Sequence, residues 1–502
     1  MMKPNVRGHF PGLAVVIALA SALPLFPQES LQQVYAEAKQ AQQTGDLATA
    51  ALKYQEIVKL QPKMAEAYAN LGNIYYQQAK MDRASDAYRT ALKLKPELAG
   101  PHFFLGVIAF GVHDYASALP HLQKAAALQE DNPTVHAYLG YTFYARSNFH
   151  EAAAELERAA ALDASDIDVL YHLSKSYTHL ADEAYGVLRD RFGDSVYASL
   201  ARAHAYEAQE NWKEAHEQYG IAQQLLPANE RLKAKVEWSA AKAAGSAASS
   251  SVSGTADSPD PIIDASLAYR DTKLSGAALK EQIARWQSTV HTLEKTSLTA
   301  DGAYQIAEDY QILGYFAALA VFDAGSDSYR AHELQAQLLE TSNKDDQAIA
   351  EYRDALKRKP ELQNIHFAIG SLYWKNQSFD AARAELLDEL KLNPNHPQAL
   401  YELGDIAAEA GDSRNAEQYL MSALKIDPSL VEAHLALEKI YTKDGRYEQS
   451  LKQLKEAGAL LPADPKIHYR LSLVYRKAGK TQDADRELAI FSQKTAQDKQ
   501  TR

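Results

Sequence analysis

The stretch AEAYANLGNIYYQQAKMDRASDAYRTALKLKPEL, residues Ala65–Leu98, decides the fold. It is 34 residues long, and the next 34 residues repeat its skeleton as AGPHFFLGVIAFGVHDYASALPHLQKAAALQEDN. Tyr68, Leu71, Gly72 and Tyr75 fall at i, i+3, i+4 and i+7, one face of a helix. Ala84, Tyr88 and Ala91 mark a second helix, which Pro96 ends. Two short amphipathic helices cannot bury their apolar faces alone, so each pair must stack on the next. Gly72 and Ala84 are small because the two axes come closest there.

Frames of this kind begin at Leu31, Ala65, Ala99, Pro133 and Ile167, and again at Tyr329, Gln363, Pro397, Val431 and Pro465. The small residue of the first helix returns as Gly106, Gly140, Gly370 and Gly404, relaxing to Ala38, Ser174, Ala336 and Ser472. Glu438 breaks that column, and its unit is expected to pack more loosely or tilt. The alanine of the second helix recurs at Ala50, Ala118, Ala152, Ala215, Ala348, Ala382, Ala416 and Ala484, with Ser450 as the exception. The combined pattern of bulky residue, Leu-Gly, Tyr, Ala, aromatic, Ala and Pro resembles the tetratricopeptide repeat family. The resemblance implies an all-α solenoid, a right-handed superhelix of antiparallel helix pairs that presents a concave groove to protein segments.

The rhythm breaks after VLYHLSKSYTHL, and a unit in frame with Pro227 begins at Val196. Leu173–Ser195 aligns without a gap on Ile306–Ser328, 133 residues further on, pairing Tyr177 with Tyr310 and Leu180 with Leu313. A non-standard helical unit followed by a standard one is therefore used twice. Asp194-Ser195 and Asp327-Ser328 read as helix starts, since Ser and Asp are good N-caps. Between the copies, GSAASSSVSGTADSPDP (245–261) has the composition of a flexible linker. The expected organisation is a signal peptide (1–27), a first array (28–244), the linker (245–261), an irregular helical segment (262–300), a second array (301–494) and a polar tail (495–502). The helix AALKEQIARWQSTVHTL in the irregular segment has no evident docking partner in the sequence.

Fifty-three Lys and Arg against 65 Asp and Glu leave a formal charge of −12, which argues against a general nucleic-acid partner. There is no cysteine, which excludes disulfides, thiol catalysis and a lipid-modified cysteine anchor. The N-terminus carries Lys3 and Arg7, an apolar run from Gly12 to Phe26, and small residues at Ala18, Ala20 and Ala22. It reads as a secretory signal, because the run is short for a spanning helix. Export to the periplasm or medium is the expectation, with an uncleaved inner-membrane anchor as the alternative and that segment as the sole membrane contact.

Chemistry is sparse. AGKT (478–481) lacks the earlier glycine of a phosphate-binding loop and falls at a helix–helix turn. His102, His136, His332, His366, His434 and His468 share the fourth position of their repeats. Neighbours in that column would stand roughly 10 Å apart at ordinary helix spacing, too far to share a metal. They are expected to fill the interhelical seam and hydrogen-bond to the adjacent helix. No enzyme, cofactor or metal is called for. Asp264, Arg270, Asp271, Glu281 and His291 in 262–328 lack the spacing that a known chemistry needs.

The groove is expected at the fifth, ninth and twelfth residues of each unit. In the first array these give Tyr35, Asn73, Tyr76, Phe103, Phe110, Tyr141, Tyr144 and Tyr171. In the second they give Phe367, Trp374, Tyr401, Tyr469 and Arg476, joined by Arg470 beside Tyr469, with cations toward the C-terminus. A strip so rich in rings suits protein segments. Of the clamp residues with which some relatives grip chaperone tails, only Asn70 is present. The sequence thus reads as a non-catalytic interaction scaffold, with an envelope assembly or secretion accessory, for pili or polysaccharide export, as the alternative.

Overall fold

The computed structural model describes residues 28–245, 276–295 and 299–500. Among these it contains 24 helices and no strand, so the chain is all-α as the periodicity requires. Residues 1–27, expected to form a signal peptide, and nearly all of the expected linker lie outside the described residues. Two compact units are present, one ending at Arg330 and one beginning at Ala331.

Ordinary repeats are local hairpins with one shared construction. In the unit Ala65–Gln77 with Met81–Leu94, a Cβ placed on Gly72 would lie 2.6 Å from Tyr88 Cε1. The same conflict recurs between Gly106 and Leu122 (2.5 Å), Gly140 and Leu156 (2.7 Å), Gly370 and Leu386 (2.9 Å), and Gly404 and Leu420 (2.7 Å). These glycines let the bulky residue of the second helix sit directly on the backbone of the first. Glu438 replaces glycine in its unit but is buried, and its carboxylate is held by Arg470 of the next repeat and by Thr442 Oγ1 at 3.0 Å. A charge-assisted bond between repeats takes the place of the close approach.

The turn between the two helices is equally uniform. Its left-handed residue is glycine at Gly45, Gly411, Gly445 and Gly479, but Ala79, His113, Ser147, Glu210, Asn343 and Gln377 elsewhere. The AGKT segment is such a turn, with Gly479 at φ +75°. Some first helices are entered through side-chain caps, where Asn132, Asp166, Asn229 and Asp464 accept hydrogen bonds from the first-turn amides, while others, such as those after Met64, Leu98 and Leu430, are not. Ser195 caps Val196–Ala208 in the same way.

The histidine column is a seam motif. In each case Nδ1 meets the residue 19 positions on, as in His136 with Glu155 (2.6 Å), His332 with Glu351 (2.6 Å) and His366 with Glu385 (2.7 Å). His434 meets Gln453 (2.6 Å), and His468 meets Glu487 (2.7 Å). At His102 the partner is His121 (3.0 Å), and burial lowers the pKa of both rings.

The non-standard units are two long helices, Ile167–Phe192 and Ala300–Gly325, each of 26 residues. Neither turns back after its fourteenth residue. They pack antiparallel on each other within the first unit: Ser174 Oγ donates to the Gly314 carbonyl at 2.8 Å, and the Tyr177 and Tyr310 rings lie 5.9 Å apart. Equivalent residues make equivalent contacts across the pair. Tyr171 packs under Arg330 (4.1 Å from ring centroid to Cζ), and its counterpart Tyr304 packs on Tyr197 (5.5 Å), the counterpart of Arg330. The offset of 133 relates both partners, so the pair has an approximate twofold axis. Each long helix serves as the other's missing second helix. The helix Gly276–Leu293 docks beside them, with Trp286 stacked on Phe316 at 5.7 Å and Val290 buried.

Candidate functional site

In the first unit the first helices of successive repeats carry a run of rings in contact. Tyr76 meets Phe104 at 5.0 Å, Phe104 meets Phe103 at 5.3 Å, and Phe103 meets Tyr138 at 5.6 Å. Tyr138 touches both Phe110 (5.7 Å) and Tyr141 (5.9 Å). The run continues through Tyr141 and His172 (4.6 Å), His172 and Tyr144 (5.5 Å), Tyr144 and His179 (5.9 Å), and His179 stacked on Phe149 at 4.1 Å. Edge-to-face and tilted contacts of this kind hold rings rigidly at small entropic cost.

Burial divides the residues expected to line the groove. Tyr35, Asn73, Tyr76, Phe110, Tyr141 and Tyr144 are half-buried, as a binding strip requires. Phe103 is fully buried beneath Phe104 and Tyr138, and Tyr171 is buried under Arg330. Ala137 shares their fifth position and is also buried, so in the repeats that begin at Ala99, Pro133 and Ile167 that position points into the stack, whereas Tyr35 and Ala69 hold it half-buried in the two earlier repeats. The sixth position takes its place on the strip, with Phe104, Tyr138 and His172 half-buried. The period of 34 that yielded the fifth and ninth residues carries this column as well. Asn73 Oδ1 accepts from the Tyr88 hydroxyl at 2.8 Å, and Tyr35 packs edge-on against Tyr54.

The strip ends against charge. Asp166 and Asp168 open the first long helix, and Asp168 binds the Arg330 Nε at 2.7 Å and the Tyr329 hydroxyl. Burial, then the Asp168 charge, pushes Asp166 above the usual carboxylate range. Burial first, then these two carboxylates, pushes the Tyr138 hydroxyl up to about 12.

The second unit is more polar. Trp374 Nε1 donates to Asp405 at 2.9 Å, Trp374 lies 6.4 Å from Tyr401, and Phe367 packs on His396 at 4.4 Å. Tyr469 is exposed against Phe491, and Arg470 is engaged by Glu438. Arg476 is exposed and 3.5 Å from Asp485. Burial raises Glu402 to about 7 beside the Ser371 hydroxyl, which lies 2.7 and 2.9 Å from its two oxygens.

Among the described residues, His332, Glu351 and Asp354 form the one trio close enough to hold a metal ion. Its His–Glu pair is the seam motif found in other repeats, which accounts for it without an ion. Of the residues weighed for a site in 262–328, Asp264, Arg270 and Asp271 lie outside the described residues, as does the Glu281 side chain. His291 is exposed.

Family models for the tetratricopeptide repeat match residues 65–98, 105–167, 329–362 and 367–430. The chain carries tetratricopeptide repeats. These matches fall on ordinary hairpins of both units and stop at the start of the first long helix. No curated protein matches the sequence. Among solved structures, MamA is 18% identical over 35% of this chain and 96% of its own, with a TM-score of 0.33. YrrB, a tetratricopeptide-repeat protein with an unusual peptide-binding site, is 17% identical over 35% of this chain and 91% of its own, with a TM-score of 0.31. The Cut9–Hcn1 complex is 14% identical over 93% and 94%, with a TM-score of 0.34. At these scores they add nothing about function.

Proposed function

We propose that this chain is a non-catalytic scaffold that holds an extended segment of another protein along the aromatic strip of its first unit. The observation that carries the reading is the ring contact from Tyr76 to Phe149, whose members other than the supporting Phe103 are left half-buried across successive repeats. Rings held rigidly by one another lose little entropy when a ligand covers them, and partly exposed aromatic surface is what interfaces bury. Phenol hydroxyls along the strip can bond the backbone of an extended segment, while ring faces take apolar or prolyl side chains. The chain is exported on this reading, which rests on the N-terminal sequence alone.

A crosslinking pulldown from the exported fraction tests it, comparing wild type with a Phe110→Ala, Tyr141→Ala, Tyr144→Ala variant. Phe103 is left intact because it supports the stack. The variant should lose a partner that wild type captures while keeping its helical circular dichroism. Identical captures by two equally folded proteins would remove the strip from the function. A captured envelope-assembly component would favour the accessory role over a general scaffold.

A further inference from the structure

A cavity of about 100 Å³ lies in the first unit where the two long helices meet Phe149–Leu162 and Gly276–Leu293. The approximate twofold passes through its wall, since Tyr177 and Tyr310 both line it. Each of these phenols donates its proton to a carboxylate: Tyr177 to Glu157 at 2.6 Å, and Tyr310 to Glu294 at 2.7 Å. Gln287 Nε2 donates to the Tyr177 hydroxyl at 2.9 Å, completing its bonding. The carboxylate oxygens left over are acceptors with lone pairs to spare.

The charge is unequally balanced: Glu294 is paired with His150, whose pKa that hydrogen bond raises, whereas burial raises Glu157. Among the described residues no Lys or Arg lines the cavity. His150, bonded to Glu294 at 2.9 Å, and exposed His291 are the cationic groups at hand. Burial lifts the Glu157 pKa despite the Tyr177 hydrogen bond. Such a group is stabilised by any cation that reaches it. A metal ion fits poorly, because these carboxylates and imidazoles do not converge as a ligand set in the way that His332, Glu351 and Asp354 do. The space exceeds that of one water, and Ala153, Val290 and Leu313 give it an apolar floor. Tyrosine faces add attraction for an organic cation.

We propose that this cavity binds a small organic cation, a primary ammonium group on a short apolar stem. The charge sits against Glu157 and Glu294, and the stem against Ala153, Val290 and Leu313. The site is separate from the aromatic strip and does not depend on it. Its walls come from both long helices, so an occupant ties together two segments joined only through residues far apart in sequence. Binding to the folded state alone then raises its stability by mass action.

The test is isothermal titration and thermal unfolding of the full chain with n-butylammonium chloride at fixed ionic strength, with sodium butyrate, n-butanol and zinc chloride as controls. Wild type should bind n-butylammonium saturably and melt at a higher temperature with it, while butyrate and n-butanol give neither effect. Glu157→Gln keeps shape and removes charge, and it should weaken binding at least tenfold. If that variant fails to fold, Glu294→Gln, at the rim, is read in its place with the same expectation. Absence of saturable n-butylammonium binding overturns the proposal, as does undiminished binding by a folded variant. Equal binding of n-butanol would make the cavity merely apolar, and preferential zinc binding would make it a metal site; either result also overturns the proposal.

Discussion

An ordinary hairpin and the long-helix pair solve one problem at two ranges. In the hairpin, Gly404 accepts Leu420 from a helix that begins after a short turn. In the long pair, Ser174 occupies the corresponding small-residue position, yet it meets Gly314, 140 residues away. The hairpin reverses the chain at a left-handed residue after its first helix, yet the residue there does not decide between the two constructions: Ala181 stands where Ala79 turns, Gly314 stands at that place in the copy, and both long helices run on. Each long helix continues past the turn position, and its exposed seam is closed by its copy. Local pairing makes each repeat depend only on itself and its neighbours in sequence, whereas the distant pairing makes the first unit depend on a segment far along the chain.

The largest effect should come from Tyr177→Ala. Tyr177 is buried at the crossing of the long helices, and truncating a large core aromatic costs about 3–5 kcal/mol. The change also strips Glu157 of its phenol donor. Hydrogen exchange during urea titration should show Ile167–Phe192 and Ala300–Gly325 losing protection together, while repeats after Ala331 keep theirs. Loss of one long helix without the other would show that they are not each other's second helix.

A hairpin should respond more locally. Gly404→Val forces a branched side chain toward Leu420 Cγ, where even a Cβ would lie 2.7 Å away. Overpacking of this kind costs roughly 1–3 kcal/mol, felt in the second unit. An unchanged urea midpoint would mean that the glycine column does not set the helix spacing.

What the sequence discloses follows the same division by range. The period of 34 exposes the glycine seam, the histidine column and the turn, because each is a contact within a repeat or to its neighbour. The duplication of Leu173–Ser195 at Ile306–Ser328 is also plain in sequence. That the copies embrace each other is not, since no local pattern names a partner 140 residues off. The groove shows the same limit. A column can be read from periodicity, but whether Phe103 faces outward depends on Phe104 and Tyr138 lying over it. The helix Gly276–Leu293 is legible as a helix, while Trp286 on Phe316 depends on the long pair already being formed.

The smallest effect probes the turn that separates the two constructions. Ala79 sits at φ +57° and Gln377 at φ +56°, in a region where a Cβ crowds the following carbonyl. That crowding costs roughly 1–2 kcal/mol in a non-glycine residue, whereas glycine adopts the conformation freely and gives back part of the gain as unfolded-state entropy. Ala79→Gly and Gln377→Gly should each stabilise the protein by about 0.5–1 kcal/mol, read as a rise in urea midpoint. Asn343, at φ +54°, should gain less from Asn343→Gly, because asparagine tolerates this region better than alanine does. Gly411→Ala should reverse the sign. If Ala79→Gly instead destabilised the chain, the reversal after the first helix would be held by side-chain contacts rather than by backbone conformation.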